Sequence, residues 1–415
     1  MTEQKANQLA VICLGLALVL FAAFSQFKLP VVLPVMLDRY GYDPVLAGGF
    51  MSVYAALGIV LSIWIGRRVE SLGPLTLVLF ALPLMAGGTL VSLLAPQQGL
   101  VVLLGRALEG AAFAILAVAG PALASNAAAR RHRALVMGLV ATWMPAGQLL
   151  AALLAPLALA TTGWPGLWVA SIAMAAALTL WTWLARRGRQ PRGTDPTAAT
   201  AESPTPRSLT RAQRQGLLVT AAVFMLWSGQ YIAYMTWLPE YLVSALAMSV
   251  ETALWIYLIP VIFVGAFNII TGFLLRHGLR PEHLLFGAVC VQALLWWLLP
   301  VSNEGIAGLV SLTLYGVTAG IAPTCLFALA TVLTEGPGQT ARAFGTVMTG
   351  RNLGVLLGPL LLAQMLKWSG DWIANSPVFG AVTSLAAVLA LLLIPVAPKV
   401  RGELAAANAG GKGMS

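Results

Sequence analysis

Long apolar runs, separated by short groups of turn residues, make up almost the whole chain. Each run holds about 20 residues with few charges, which is the length that crosses ~30 Å of hydrocarbon as a helix. Glycine and proline mark the turns between the runs, for example at Gly73-Pro74, Pro96 and Pro281. The pattern predicts twelve membrane-spanning helices over residues 9–37, 44–66, 73–95, 98–126, 134–160, 165–185, 216–243, 250–275, 283–300, 305–333, 343–366 and 372–396.

Composition supports a membrane protein. Hydrophobic residues make up 59% of the 415 residues and charged residues only 9%, whereas a typical soluble domain has about 25% charged residues. So few charges would not cover a soluble protein of this length. We therefore expect an all-α membrane protein with twelve transmembrane helices in two pseudo-symmetric six-helix bundles.

The longest polar interruption covers residues 186–215 and is rich in Arg, Pro, Ser and Thr. Such a composition cannot bury a core, so it predicts a flexible linker. The domain boundaries follow from it: an N-terminal six-helix bundle over 1–185, a cytoplasmic linker over 186–215, a C-terminal six-helix bundle over 216–398, and a disordered cytoplasmic tail over 399–415. Both termini then lie on the cytoplasmic side.

The basic residues are distributed unevenly between the two sides of the membrane. Of 24 Lys and Arg, 19 fall in segments that share one side, and only Arg39 and Lys367 fall on the other. Lys and Arg are retained on the cytoplasmic side, which predicts the orientation in a bacterial-type inner (plasma) membrane. The three others, Lys28, Arg106 and Arg351, lie inside apolar runs, where a charge is expensive and usually functional.

The two halves of the chain repeat each other at near-equal offsets. The recurring positions are Leu33-Pro34 with Leu238-Pro239 at an offset of 205, Gly66 with Gly272 at 206, and Gly138 with Gly345 and Gly147 with Gly354 at 207. A duplicated six-helix unit is the repeat architecture of secondary transporters, in which substrate is held near the midplane.

Three motifs resemble the major facilitator superfamily, and the resemblance covers nearly the full length. The run from Gly66 to Pro74 keeps the family's G-x-x-x-D-x-x-G glycines, with Glu70 in place of Asp and without the trailing basic residues. Arg106-Ala-Leu-Glu-Gly matches R-x-x-q-G. The glycine-rich motif of helix 5 is largely absent, while Gly354-x-x-x-Gly-Pro stands in helix 11.

A fainter similarity points to the cyanate and nitroimidazole transporter branch of this superfamily. It rests on Trp237-Leu-Pro at the end of helix 7, on the run from Pro323 to Leu329, and on Lys28 just before a proline in helix 1.

The resemblance implies roles for two groups of residues. Glu70, with Gly66 and Gly73, would form a cytoplasmic gate that holds the outward-open state. Arg106 and Glu109 would take part in proton coupling, and Glu109 is the only carboxylate well inside any predicted span. They are also i and i+3 on one helix face, so the alternative is a structural ion pair.

Lys28 and Arg351 are the candidate substrate contacts. Three cations against one anion in the membrane region favour an anionic substrate, and the planar fork of Arg suits a carboxylate. The alternatives are that Lys28 reaches the outer headgroups and that Arg351 bonds backbone carbonyls or Glu70. Polar and aromatic residues on the family's cavity-lining helices are further candidates, with ordinary packing as the alternative: Gln26, Gln230, Tyr231, Tyr234, Asn268, Tyr315 and Asn352.

These expectations describe a secondary active transporter that moves a small organic anion by alternating access, coupled to protons. A proton-coupled exporter of amphipathic drugs and a membrane receptor or scaffold are the alternatives. We expect no enzyme activity, because no nucleotide-binding glycine loop, catalytic Ser/His/Asp set or metal-ligand spacing is present. We also expect no cofactor, no metal and no nucleic-acid partner. The expected partners are the anion, protons and membrane lipids, and the expected state is a monomer.

Overall fold

The structure is a computed structural model that describes residues 2–129, 132, 136, 139, 140, 142–187, 209–334 and 336–411. Side chains of residues 2–6, 60–72, 336–338, 340–342 and 405–411 lie outside this description. Thirteen α-helices are formed by the described residues, which contain no β-strand. The helices are α1 Thr2–Phe27, α2 Leu33–Tyr40, α3 Pro44–Leu72, α4 Pro74–Leu94, α5 Gly99–Ala127, α6 Trp143–Thr161, α7 Pro165–Arg187, α8 Arg211–Ser244, α9 Val250–Arg276, α10 Pro281–Leu298, α11 Gly305–Val332, α12 Gly336–Ser369 and α13 Ser376–Gly411.

Eleven candidate membrane spans are long and apolar enough within the described residues, and one of them combines α1 and α2 as Asn7–Tyr40. The described apolar part of α3, Pro44–Ile59, is shorter. This confirms an all-α membrane protein, whereas the pair of six-helix bundles stays a prediction. The predicted linker lies mostly in residues 188–208, outside the described residues.

Two departures from the predicted helices have local causes. The first span is not continuous, because α1 ends at Phe27 and a 3₁₀ turn over Pro30–Val32 precedes α2. Proline has no backbone N–H and its ring clashes with the preceding turn. The last helix, in turn, runs on to Gly411, which differs from the disordered tail predicted from residue 399. Alanine, the strongest helix former, recurs in that segment.

The chain forms two compact units. The first contains Met1–Pro191, Ala233–Gly265 and Leu356–Trp372, and the second contains Arg192–Ile232, Ala266–Val355 and Ile373–Ser415. Within the first unit α5 packs against α1, α3 and α4, and within the second α10 packs against α11 and α13.

Glycines allow close approach of the helices around α5. A Cβ atom on Gly88 of α4 would lie 2.6 Å from the carbonyl oxygen of Gly105 on α5, and one on Gly15 of α1 would lie 2.7 Å from that of Gly120. Small residues at membrane helix contacts bring backbones together and strengthen dispersion contacts. These crossings place the polar side chains of α1, α4 and α5 within bonding distance of one another.

Candidate functional site: a buried ion cluster and an arginine beside a glycine crossing

A break after α1 brings Lys28 into the interior of the first unit. The backbone N–H of Lys28 makes the last helical bond, to the carbonyl of Phe24 at 2.8 Å. In a continuous helix the carbonyl of Gln26 would accept a bond from residue 30, which is a proline. Arg106 replaces the missing donor, because its Nη2 donates to the carbonyl oxygen of Gln26 at 3.0 Å.

The guanidinium of Arg106 makes two further backbone contacts. Its Nη1 donates to the carbonyl of Ser25 at 2.9 Å and its Nε to the carbonyl of Phe50 on α3 at 3.2 Å. The planar fork of arginine is suited to several acceptors at fixed angles. Arg106 therefore stabilises the broken helix in addition to its contact with Glu109.

Glu109 accepts hydrogen bonds on both carboxylate oxygens. Its Oε1 receives the Nζ of Lys28 at 2.8 Å and the Oγ1 of Thr89 at 2.6 Å, and its Oε2 receives Nη1 of Arg106 at 2.7 Å and the hydroxyl of Tyr54 at 2.6 Å. Four donors, two of them cationic, match the acceptor capacity of an ionised carboxylate. The geometry thus supports a charged Glu109.

We call Lys28, Arg106 and Glu109 the buried ion cluster. All three side chains have no solvent-exposed surface. The Nζ of Lys28 also lies 3.2 Å from the hydroxyl of Thr89 and 4.7 Å from the ring centroid of Trp168 on α7. Two cations and one anion leave this cluster with an excess positive charge. The predicted contact between Arg106 and Glu109 is present, and the contact between Lys28 and Glu109 is a further one that the sequence did not predict.

In the second unit, Arg351 lies on α12 between two glycines that touch α8. A Cβ atom on Gly350 would lie 2.1 Å from the carbonyl oxygen of Ala221, and one on Gly354 would lie 2.1 Å from that of Met225. The hydroxyl of Ser228 on α8 donates to the backbone carbonyl of Arg351 at 2.9 Å. This crossing fixes the backbone from which the guanidinium extends.

The partly buried guanidinium of Arg351 bonds a neutral group. Its Nη1 donates to the side-chain oxygen of Asn352 at 3.0 Å. No carboxylate forms an ion pair with Arg351 among the residues that the structure describes, whose four ion pairs involve other side chains. An arginine cannot lose its charge by releasing a proton. This side chain is therefore a cation with capacity to bind an anion.

Gln230 forms the centre of a neutral buried network in the second unit. Its side-chain oxygen accepts from the indole N–H of Trp296 at 3.0 Å and from the hydroxyl of Tyr315 at 2.9 Å, and its amide donates to Gln292 at 3.3 Å. Gln230 and Tyr315, two of the candidate substrate contacts, therefore bond to each other in this structure. Tyr231 lies beside them, with its ring 5.0 Å from that of Trp227 at an interplanar angle of 8°.

The remaining predicted lining residues are less closely grouped. Gln26 is buried, and its side-chain oxygen has no hydrogen-bond partner among the described residues. Tyr234 and Asn268 are partly buried, and the backbone carbonyl of Asn268 accepts from the Thr324 hydroxyl at 3.4 Å. Tyr231 belongs to the second unit and Tyr234 to the first, although both lie on α8.

The predicted gate can be followed only in part. Gly66 and Glu70 are both helical positions in α3, but the side chain of Glu70 lies outside the described residues. Gly73 separates α3 from α4 with φ of +75°, a backbone conformation that favours glycine. The role of these residues stays a prediction.

Asp43, just before the start of α3, and Lys367, near the end of α12, form an ion pair within the first unit. Lys367 donates to the carboxylate of Asp43 at 2.5 Å, and both side chains are about half exposed. This hydrogen bond holds the pKa of the Asp43 carboxyl below its ordinary value of 3.8. The pair therefore persists at neutral pH. Exposed pairs typically contribute only ~0–1 kcal/mol to stability.

Several residues that bond to the buried ion cluster or to the neutral network around Gln230 were not among the residues predicted from the sequence. Tyr54, Thr89 and Trp168 surround the buried ion cluster, and Gln292 and Trp296 complete the neutral network. Thr89 and Gln292 are polar residues within long apolar runs, which is a signal that could have indicated them. Nothing in the sequence distinguishes Trp168 or Trp296 from the other tryptophans.

Comparison with known proteins places this arrangement in a family. Residues 12–340 match the family model described as Major Facilitator Superfamily. A comparison with curated proteins found no match. The family match covers most of the chain, including the whole buried ion cluster, and agrees with the repeated apolar helices. The chain therefore belongs to the Major Facilitator Superfamily and is a multi-pass membrane protein of the secondary-transporter type.

Proposed function

We propose that this transporter moves a small organic anion across a bacterial inner membrane by alternating access, with proton coupling and with both termini in the cytoplasm. The observation that carries the proposal is the guanidinium of Arg351, which is partly buried and has Asn352 rather than a carboxylate as its described side-chain partner. A carboxylate substrate would supply the missing counter-charge in a bidentate geometry.

The charge of the described membrane interior supports an anion over a cation. The buried ion cluster has one more cation than anions, and Arg351 adds a further positive charge. A cationic drug beside Arg351 would be repelled by its guanidinium. Lys28 is the second predicted substrate cation, but its ammonium is bonded to Glu109 in this structure. Arg351 is therefore the stronger candidate for direct contact.

An exporter of amphipathic drugs is the second candidate, and aromatic packing in the second unit is what favours it. Trp227, Tyr231 and Tyr315 form a series of near-parallel rings at 5.0 and 6.5 Å. The face of an aromatic ring carries partial negative charge and attracts cations, which suits planar cationic drugs. The sign of the ligand's charge distinguishes the two candidates.

A thermal-shift experiment on the purified protein tests the proposal. The ligands are benzoate, lactate and succinate on one side and ethidium and tetraphenylphosphonium on the other. At ~100 times its Kd a ligand that binds only the folded state stabilises it by about 2.7 kcal/mol. We expect a carboxylate to raise the melting temperature of the wild type and to lose this effect with Arg351→Ala.

Arg276→Ala provides the matched control, because Arg276 is exposed in the last turn of α9. It should keep the carboxylate effect in full. Stabilisation by the cationic compounds alone, unchanged by Arg351→Ala, would contradict anion transport and favour the drug exporter.

A further inference from the structure

The buried ion cluster has unequal charges, and this imbalance identifies the group that can exchange a proton. Lys28 and Arg106 face the single carboxylate of Glu109, and none of the three side chains is exposed. A net charge without contact with water is expensive in an apolar interior. Loss of one proton would make the cluster neutral, whereas gain of one proton would double its charge.

Only one member of the cluster can release that proton. Arginine remains protonated in proteins, and an ionised Glu109 has no proton to release. Protonating Glu109 would remove the negative charge of the cluster and leave Lys28 and Arg106 without a counter-charge in it. The ammonium of Lys28 has neither restriction.

We infer that Lys28, and not Glu109, takes up and releases the transported proton. This inference rests on the proposed proton-coupled transport and reassigns the carrier that the family motif suggested. In the step, which takes place in a state of the transport cycle that admits water to the cluster, the N–H bond of the ammonium breaks, the proton passes to a water molecule, and the nitrogen retains the electron pair as a neutral amine. Uptake from water reverses the step.

The surroundings of Lys28 keep the cluster intact in both protonation states. The titratable or charged groups that face it are Glu109 and Arg106 on α5 and Tyr54 on α3, while α4 and α7 contribute the neutral Thr89 and Trp168. After proton loss, Glu109 keeps the bonds from Arg106, Tyr54 and Thr89. The carboxylate is then balanced by one cation, so Glu109 and Arg106 act as positioning residues.

The position of Lys28 links this proton to the backbone. Lys28 follows the last residue of α1, where the helix is interrupted before the 3₁₀ turn. Its bonds to Thr89 and Glu109 tie this interruption to α4 and α5. Loss of the proton removes the charge from the contact between Lys28 and Glu109, so the angle between α1 and the 3₁₀ turn can change more easily. Arg106 still donates to the carbonyls of Ser25 and Gln26.

Two spectroscopic titrations of the full chain in lipid nanodiscs test the inference without a substrate. The first follows the side-chain nitrogen of ¹⁵N-labelled lysines by NMR, and Lys28→Arg identifies the Lys28 signal. Lys367→Arg, at an exposed lysine, is the matched control. The second follows the C=O stretch of protonated carboxyl groups by infrared spectroscopy, and Glu109→Gln identifies any contribution of Glu109.

We expect the signal that is absent from the Lys28→Arg protein to change from ammonium to amine at a lower pH than the Lys367 signal. We expect no protonated-carboxyl band that Glu109→Gln removes. Such a band, or a Lys28 signal that remains an ammonium until the Lys367 signal has titrated, would overturn the inference. Thermal shifts with benzoate, lactate and succinate on the same samples report the proposed function separately. If no anion binds while Lys28 titrates, anion transport fails but the proton site stands.

Discussion

At the scale of single residues, Glu109 holds the buried ion cluster together through both of its carboxylate oxygens. Four donors converge on its two oxygens: Tyr54 from α3, Thr89 from α4, Arg106 from the same helix α5, and Lys28 from the break after α1. Removing one partner of a buried ion pair typically costs ~3–5 kcal/mol, because the other charge is left uncompensated. Glu109 thus has a structural role whichever residue carries the proton.

Replacing Glu109 with Gln should lower stability strongly. Lys28 and Arg106 would then face each other without a carboxylate, and the loss should be on the order of 3–5 kcal/mol. The measurement is the melting temperature of the purified protein in one detergent. Glu251→Gln, at an exposed position in the first turn of α9, serves as the control and should change it little. Equal melting temperatures for the two variants would contradict the structural role.

The sequence predicted part of this site because charge in an apolar run is rare. Lys28, Arg106, Glu109 and Arg351 were found on that basis, and the spacing of Arg106 and Glu109 predicted their contact. The contact between Lys28 and Glu109 joins residues 81 positions apart, and no local pattern predicts a pairing at that separation. The neutral partners were missed because single Thr, Tyr and Trp residues are common in membrane helices.

At the scale of elements, proline and glycine determine where the helices break and where they touch. The sequence predicted most helix boundaries to within a few residues, since turn residues and loss of hydrophobicity coincide there. It did not predict the break after Phe27, because a Pro in a membrane helix is equally compatible with a kink or with an unbroken span. In the structure the helix is broken, and the carbonyl of Gln26 accepts a hydrogen bond from Arg106 instead of from a backbone N–H.

The crossing of α12 with α8 gives a matched pair of glycine substitutions. Gly354→Ala places a methyl group 2.1 Å from the carbonyl oxygen of Met225, so the helices must separate, whereas Gly345→Ala meets nothing within 4 Å. We expect Gly354→Ala to lower the melting temperature by several degrees and to weaken carboxylate binding, because Arg351 is one turn away. Gly345→Ala should be neutral or slightly stabilising, since alanine favours the helix by ~1 kcal/mol. The opposite order would contradict the crossing.

At the scale of the whole molecule, corresponding positions of the repeat carry different chemistry in the two units. Tyr315 follows Glu109 by 206 residues and Trp296 follows Thr89 by 207, which are offsets of the internal repeat. The first unit has an ion cluster at these positions, whereas the second has a neutral network around Gln230. This difference is consistent with proton exchange in the first unit and with anion binding at Arg351 in the second.

The family and the all-α membrane fold could be predicted from sequence because both depend on repeated, nearly local patterns. The substrate could not, because Arg351 specifies a charge and not a molecule. The described structure adds the partners of each charge, which single residues along the chain do not reveal. It thereby separates Lys28, which is paired, from Arg351, which has no described acid partner.

Counterflow of radiolabelled benzoate, lactate and succinate in proteoliposomes tests whether the protein transports carboxylates. Exchange requires translocation, so a receptor or scaffold that only binds gives no signal. We expect the wild type and Arg276→Ala to exchange at least one carboxylate, and Arg351→Ala to reduce this exchange at least tenfold, the equivalent of about 1.4 kcal/mol. Exchange of labelled tetraphenylphosphonium without exchange of any carboxylate, or undiminished carboxylate exchange by Arg351→Ala, would contradict this expectation.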